Sequence, residues 1–160
     1  MAASNKYGKY ILHDAVGVPV LKQREHTPSV SAREDLWPGI TGMGCNFGVN
    51  CVTEPYLLPD PPHKHEFDEY LFFIGSNCLN MKEFDAEIEV ALGEEWERHT
   101  ISSTSIVYIP KGLQHCPIHV KRVGKPFLFG HIMLAGRYTN DKGGDLYTSG
   151  VKRLPEEPKS

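Results

Sequence analysis

One segment of the sequence, PPHKHEFDEYLFFIG, brings together residue types that bind metal ions. His63 and His65 are two residues apart, so on a β-strand both imidazoles point to the same face. Glu69 follows four residues after His65, and a flat strand rising about 3.3 Å per residue would carry it roughly 13 Å beyond that histidine. A shared metal ion therefore requires a turn. The residues HEFD supply it, and EYLFFIG then returns as the second strand of a hairpin.

A second segment, SIVYIPKGLQHCPIHV, offers a fourth ligand. A β-type run ends at Pro110, the chain turns at Lys111 and Gly112, and it resumes with His115, which this turn directs back into the fold. A carboxylate buried among imidazoles is costly without a cation or protons. Imidazole and carboxylate ligands together suit Fe(II), Mn(II), Ni(II), Co(II) or Zn(II). The two segments therefore predict a site for one divalent transition metal, with the ligands His63, His65, Glu69 and His115.

The spacing HxHxxxE, followed about forty residues later by PxGxxH, is similar to the paired motifs of the cupin superfamily. The resemblance covers roughly residues 42 to 135. It implies a small, single-domain cupin, an antiparallel jelly-roll β-barrel with the same four metal ligands. The chain departs from the family pattern where glycines usually open the two motifs, because Leu57 and Thr104 stand there. His119 occupies the position where many cupins have Asn after the second-motif histidine.

Two further histidines are the candidate catalytic residues. On a strand, His119 points to the same side as His115, which makes it a pocket residue or a partner of the ligands. His131 shares a face with Phe127, Phe129 and Met133 by period two, and it lies either in the pocket or at the surface rim. An imidazole titrates near neutral pH, so His119 and His131 are the predicted proton-transferring bases.

The rest of the chain has the pattern of an all-β protein. Short apolar and β-branched runs recur between Pro, Gly and Asn residues, and helical periodicity is weak. We expect few short helices, one of them around SAREDLW. The pattern divides the chain into an N-terminal arm with the first strands (1–40), the barrel core (41–138) and a loose polar C-terminal tail (139–160).

Composition and charge narrow the class of partners. The net charge is −3 and the basic residues are scattered singly, so neither nucleic acid nor a membrane surface is expected as a partner. The sequence shows neither a spanning apolar run nor an apolar secretory leader, which predicts a cytoplasmic protein. The four cysteines form no CxxC pair and are expected to be free thiols. An N-terminal arm that pairs with a neighbouring subunit's sheet edge would give a homodimer.

Three histidines and one glutamate leave about two open positions on a six-coordinate metal, where a small-molecule substrate can bind. We therefore expect a metal-dependent enzyme that acts on a small oxygen-bearing molecule chelated to the metal, by lyase, isomerase or decarboxylase chemistry. One alternative is an Fe(II)-dependent dioxygenase, which uses the same ligands. A second alternative is a non-catalytic barrel that binds or senses a small molecule.

Overall fold

The structure, a computed structural model, describes residues 7–11, 16–17, 29–32, 40–58 and 61–142. Within these ranges the chain forms ten strands and one short 3-10 helix, Gly8–Tyr10. The strands are β1 (Val16–Gly17), β2 (Ser29–Ala32), β3 (Asn46–Val52), β4 (Tyr56–Leu57), β5 (Glu69–Gly75), β6 (Ala86–Leu92), β7 (Glu97–Ile101), β8 (Ser105–Ile109), β9 (His115–Val123) and β10 (Phe127–Met133). The all-β prediction is confirmed.

Some predicted features fall partly or wholly outside the described residues. The helix expected around SAREDLW begins instead as the end of strand β2, at Ser31 and Ala32, and its remaining residues are not described. Most of the predicted N-terminal arm and residues 143–160 of the predicted tail are also outside the described ranges. All four cysteines are described, and all are free thiols, as expected.

The strands form two antiparallel sheets. The larger has six strands in the order β1-β2-β3-β10-β5-β8, and the smaller has four in the order β4-β9-β6-β7. Strand β5 lies inside the larger sheet, with β10 on one edge and β8 on the other. Its burial alternates, because Glu69, Leu71 and Phe73 point inward while Tyr70 points outward. This is the period-two pattern expected for EYLFFIG.

The hydrophobic core lies between the two sheets. Phe73 stacks on Phe129 with 5.0 Å between ring centroids, and both belong to the larger sheet. The smaller sheet supplies aliphatic residues from β6 and β9 to the same cluster, among them Ile88, Val90, Ile118 and Val120. This packing makes the two sheets one continuous core, and it holds the first residues of β5 and β9 in place.

Strand β9 contains a β-bulge close to its start. Val90 pairs with Ile118 and Leu92 pairs with His115, so two steps along β6 correspond to three along β9. The extra residue lies near Cys116, which has a φ of 72°. Because side chains alternate with a period of two, one extra residue reverses which face every later side chain occupies. Ile118, His119 and Val120 therefore follow the opposite alternation from His115, and a second register shift follows opposite Glu87 and Ile88.

Within the described residues, no helix is both long enough and apolar enough to cross a membrane.

Candidate metal centre

Three histidines and one glutamate, predicted from two distant motifs, converge at one end of the core. The ligand nitrogens of His63, His65 and His115 all lie within 4.8 Å of one another. Glu69 Oε2 lies 3.1 Å from Nε2 of His115 and 3.4 Å from Nε2 of His65. None of the four residues exposes more than 3% of its surface. The structure thus brings together all four predicted ligands.

The two histidines of the first motif are positioned by the second motif. His63 N donates to His115 O at 3.1 Å, and His115 N donates to His63 O at 2.9 Å. His65 O accepts a further bond from Gly112 N at 2.9 Å. The stretch 63–65 therefore runs antiparallel to 112–115, with His63 in an isolated bridge rather than in a strand.

The predicted hairpin between this stretch and β5 is wrong. Both edges of β5 are already paired, with β8 and with β10, so neither is available to residues 63–65. The chain bends at Glu66 and Phe67, which confirms the expected turn between His65 and Glu69. The turn reverses the chain without making a hairpin.

The turn that carries His115 depends on Gly112 and Asp68. Gly112 has a φ of +83°, a conformation that L side chains rarely adopt, and Leu113 N donates to Pro110 O at 3.0 Å across the turn. Asp68 Oδ1 accepts from Lys111 N at 2.8 Å. Asp68 precedes Glu69 directly, so this bond joins the turn to the start of β5. The predicted turn at Lys111 and Gly112 is confirmed.

Each of the three histidines has its Nδ1 beside a backbone carbonyl. The distances are 2.7 Å from His63 to Pro61 O, 2.6 Å from His65 to Thr139 O and 3.2 Å from His115 to Leu113 O. A carbonyl oxygen only accepts, so each Nδ1 carries the proton and donates. In the neutral ring this leaves the lone pair on Nε2, which is the arrangement that metal-binding histidines adopt.

The electrostatics of the cluster fit a cation. Burial lowers the pKa of His63 to about 4, and the charge of His115 adds to the effect, so His63 is neutral at pH 7. Burial raises the pKa of Glu69, and hydrogen bonds donated by His115 and His65 when those imidazoles carry a proton on Nε2 lower the pKa by more, to about 2. Among the described residues, His65 Nε2 and Glu69 Oε2 are buried without a hydrogen-bond partner. Facing acceptors of this kind are satisfied by a metal ion.

Aromatic side chains enclose the cluster. Phe67 stacks on His65, with ring centroids 4.8 Å apart and planes 10° apart. Tyr138 packs edge-on against the same imidazole, and its hydroxyl lies 3.2 Å from Nε2 of His63. Asn140 Nδ2 donates to the Tyr138 hydroxyl oxygen at 2.9 Å. Sequence reasoning missed Tyr138, because it follows the last motif at a distance and no local pattern marks it.

The chain after Tyr138 also belongs to the site. Besides the bond from His65 to Thr139 O, Asp141 Oδ1 accepts from Lys64 N at 2.9 Å, and Asp141 N donates to Lys64 O at 3.1 Å. Residues 139–142, assigned from the sequence to a loose tail, are therefore held against the ligand stretch. That part of the tail prediction is wrong, because polar residues there bond to a neighbouring backbone rather than to water.

His131 lies on the inner face of β10. It pairs with Leu71 on one side and Gly48 on the other, and the alternating neighbours Phe129 and Met133 are buried. Its Nε2 is 3.3 Å from Asn46 Oδ1, and a Cβ added to Gly48 would lie 2.9 Å from His131 Cε1. The side chain is half-buried and lies across Gly48. This position favours the pocket alternative over the rim, while the catalytic role of His131 stays a prediction.

His119 does not reach the cluster. It is exposed, and it pairs with Leu57 on β4 and Glu89 on β6. The prediction that it points to the same side as His115 is wrong, because the bulge near Cys116 reverses the alternation between the two residues. We therefore leave His119 out of the proposed site.

No protein-family model matches the sequence. No curated protein matches it either. Solved structures do match. The polyketide cyclase RemF from Streptomyces resistomycificus aligns with a TM-score of 0.51 and 12% identity, over 88% of this chain and 87% of that one. A cupin superfamily protein from Desulfitobacterium hafniense aligns with a TM-score of 0.43 and 9% identity, over 67% of this chain and 77% of that one.

The Bacillus subtilis oxalate decarboxylase, solved in a study of its Mn(II) centres, aligns with a TM-score of 0.45 and 13% identity. The match covers 71% of this chain but only 26% of that longer protein. The likeness to RemF extends over most of both chains and agrees with the sheet topology. The chain has a fold like that of RemF, an antiparallel jelly roll of the kind that the sequence resemblance implied, and it carries a histidine-rich site that fits a metal ion.

Proposed function

We propose that this protein is a metal-dependent enzyme that acts on a small oxygen-bearing molecule held at a divalent transition metal. One observation carries the proposal: buried acceptor atoms face one another at His65 Nε2 and Glu69 Oε2, and a metal cation would satisfy both together. The proposed ligands are His63, His65, Glu69 and His115.

The donor set favours a catalytic site over a closed structural one. Three imidazoles and a carboxylate leave about two positions of a six-coordinate ion for a bidentate molecule, whereas closed structural sites use all positions for protein ligands. When bound, such an ion supplies Lewis acidity that stabilises negative charge on a substrate oxygen. Hydroxy acids, keto acids and related chelating molecules are the substrate class that fits these positions.

His131 is the proposed base. The Asn46 amide donates through Nδ2 to Ala135 O at 2.8 Å, so its Oδ1 faces Nε2 of His131 and accepts a hydrogen bond from it. The neutral ring then has Nδ1 as its basic nitrogen. Met133 pairs with Glu69 and His131 pairs with Leu71, so His131 and Glu69 are diagonal neighbours on one inner face. Diagonal neighbours of this kind are about 7–8 Å apart, so both side chains can contact one small molecule.

This arrangement supports proton transfer at a carbon next to a metal-held oxygen. His131 Nδ1 takes the proton in an isomerase or lyase reaction, or returns one to the product carbon in a decarboxylase. The same positions would serve an Fe(II)-dependent dioxygenase, so the use of oxygen has to be tested directly.

The test is a reaction screen on protein of known metal content. Protein loaded in turn with Mn(II), Fe(II), Co(II) or Zn(II) is incubated with glycolate, lactate, pyruvate and oxaloacetate, with and without oxygen, and products are followed by NMR. The proposal expects turnover without oxygen that is lost in His131→Ala and kept in His119→Ala. Turnover only with oxygen would establish the dioxygenase instead. Tight binding without conversion over hours would overturn the enzyme proposal in favour of a binding barrel.

A further inference from the structure

Tyr138 is the one aromatic hydroxyl that the described structure places at the candidate ligands. It lies beyond the end of β10 and is buried, with 7% of its surface exposed. Its ring packs edge-on against His65 at 5.2 Å and against His63 at 6.2 Å between centroids. The contact at 3.2 Å joins its hydroxyl oxygen to Nε2 of His63, which is the nitrogen that the Pro61 carbonyl leaves for a metal.

The spacing between these two atoms is that of two ligands on one ion. Donor atoms each about 2.1 Å from a metal are about 3.0 Å apart at right angles and about 3.4 Å apart in tetrahedral geometry. The 3.2 Å between Tyr138 and His63 falls between these values. The distances from Glu69 Oε2 to Nε2 of His115 and to Nε2 of His65, 3.1 Å and 3.4 Å, lie in the same range. The distance from the Tyr138 hydroxyl oxygen to His63 is thus similar to the distances from the Glu69 carboxylate oxygen to His115 and His65.

Asn140 fixes the position of the Tyr138 hydroxyl. Asn140 Oδ1 accepts from Lys142 N at 3.0 Å, which turns the amide group so that Nδ2 donates to the Tyr138 oxygen at 2.9 Å. The segment that carries both residues is fastened to Lys64 by Asp141, so the tyrosine is held in place by the ligand stretch itself.

We propose that Tyr138 is a fifth protein ligand of the metal, an inference that rests on the proposed metal site. On binding, the hydroxyl oxygen forms the bond to the metal and its proton leaves to solvent. Four residues of the cupin motifs and Tyr138 together leave about one position on a six-coordinate ion. A chelating substrate needs two positions and must therefore displace the tyrosine.

The experiment uses the intact protein, stripped with a chelator and reloaded with Fe(III), with iron content measured by mass spectrometry. A tyrosine oxygen bound to Fe(III) produces a visible charge-transfer band, which imidazole and carboxylate ligands do not. We expect the band in the wild type and in Tyr108→Phe, the control at an exposed tyrosine. We expect Tyr138→Phe to bind iron without the band and to bind Zn(II) about tenfold more weakly, as measured against a competing chelator.

The outcomes separate this proposal from the metal site itself. An iron-loaded wild type without the band overturns ligation by Tyr138 and leaves the four-ligand site standing. A wild type that takes up no metal overturns both. Asn140→Ala is the second variant: it keeps the tyrosine, and we expect its band to shift because the donor to the oxygen is gone. An unshifted band in Asn140→Ala, with the band unchanged in folded Tyr138→Phe, would also overturn the proposal.

Discussion

His63 and His115 are joined by a pair of backbone hydrogen bonds, 3.1 Å and 2.9 Å long, although they belong to motifs far apart in the sequence. The bridge sets their imidazoles side by side, with ring centroids 4.4 Å apart. It is the contact that converts two separate motifs into one site.

The first prediction concerns metal occupancy. Wild-type protein should carry about one divalent transition metal per chain. His63→Ala or His115→Ala should reduce this occupancy at least tenfold, because each substitution removes one of the four proposed metal ligands. Mass spectrometry of the purified proteins measures this directly. His119→Ala is the matched control, since that histidine is exposed and lies outside the cluster. Full occupancy in both ligand variants would refute the site.

The second prediction concerns Glu69 in the metal-free protein. The Glu69 carboxylate is a charged acceptor that faces the acceptor nitrogens of His65 and His115. Glu69→Gln replaces it with an amide, whose NH2 group can donate to those nitrogens. At pH 8 and with metal removed by chelator, we expect the variant to be more stable by about 1 kcal/mol, or roughly 2–4 °C in Tm.

Addition of Zn(II) should then reverse the order of the two proteins. At a metal concentration of about 100 Kd the wild type should gain about 2.7 kcal/mol, whereas the variant should gain much less. Scanning calorimetry measures both effects, and Glu97→Gln at an exposed position is the control. A lower Tm for metal-free Glu69→Gln would show that the carboxylate is satisfied without a cation.

The third prediction concerns the turn before His115. Asp68→Ala removes the acceptors for Lys111 N and for the Tyr108 hydroxyl, which lie 2.8 Å and 3.0 Å from the carboxylate oxygens. We expect a loss of about 1–2 kcal/mol in the free energy of unfolding and weaker metal binding, because the turn holds His115 in place. Urea unfolding and a chelator competition measure the two effects.

The control for Asp68 is Glu66→Ala, which breaks only an exposed ion pair with Lys111. Such pairs contribute little, so we expect a change within about 0.5 kcal/mol. Equal effects of the two variants would show that Asp68 contributes no more than a surface charge.

The fourth prediction concerns His131. A Cβ at Gly48 would lie 2.9 Å from His131 Cε1, so Gly48→Ala should push the imidazole off β3 while leaving metal content unchanged. The shift should appear in the His131 ring signals by NMR and, once a substrate is found, as a lower kcat. Gly44→Ala is the control, because a Cβ added at Gly44 would have no neighbouring heavy atom within 4 Å. Unchanged His131 signals would place the side chain elsewhere.

The candidate ligands, the all-β class and the turn at Gly112 could all be predicted from the sequence alone. Each of these depends on local properties: residue type, spacing and the alternation of apolar side chains along β5. EYLFFIG can be predicted as a strand with Glu69 facing inward without reference to the strands beside it, because the period of two in its own residues already separates the two faces.

The pairing between distant segments of the chain could be seen only in the tertiary structure. Residues 63–65 pair with 112–115, since both edges of β5 are already paired, with β8 and with β10. No single segment of the sequence encodes this order of strands. The bulge in β9 turns His119 outward, because one extra residue between His115 and Ile118 reverses the alternation of the side chains that follow it. Tyr138 reaches His63 through the return of the chain after β10. These are long-range contacts, whose free energy comes from packing and pairing across the whole barrel rather than from the residues next to them.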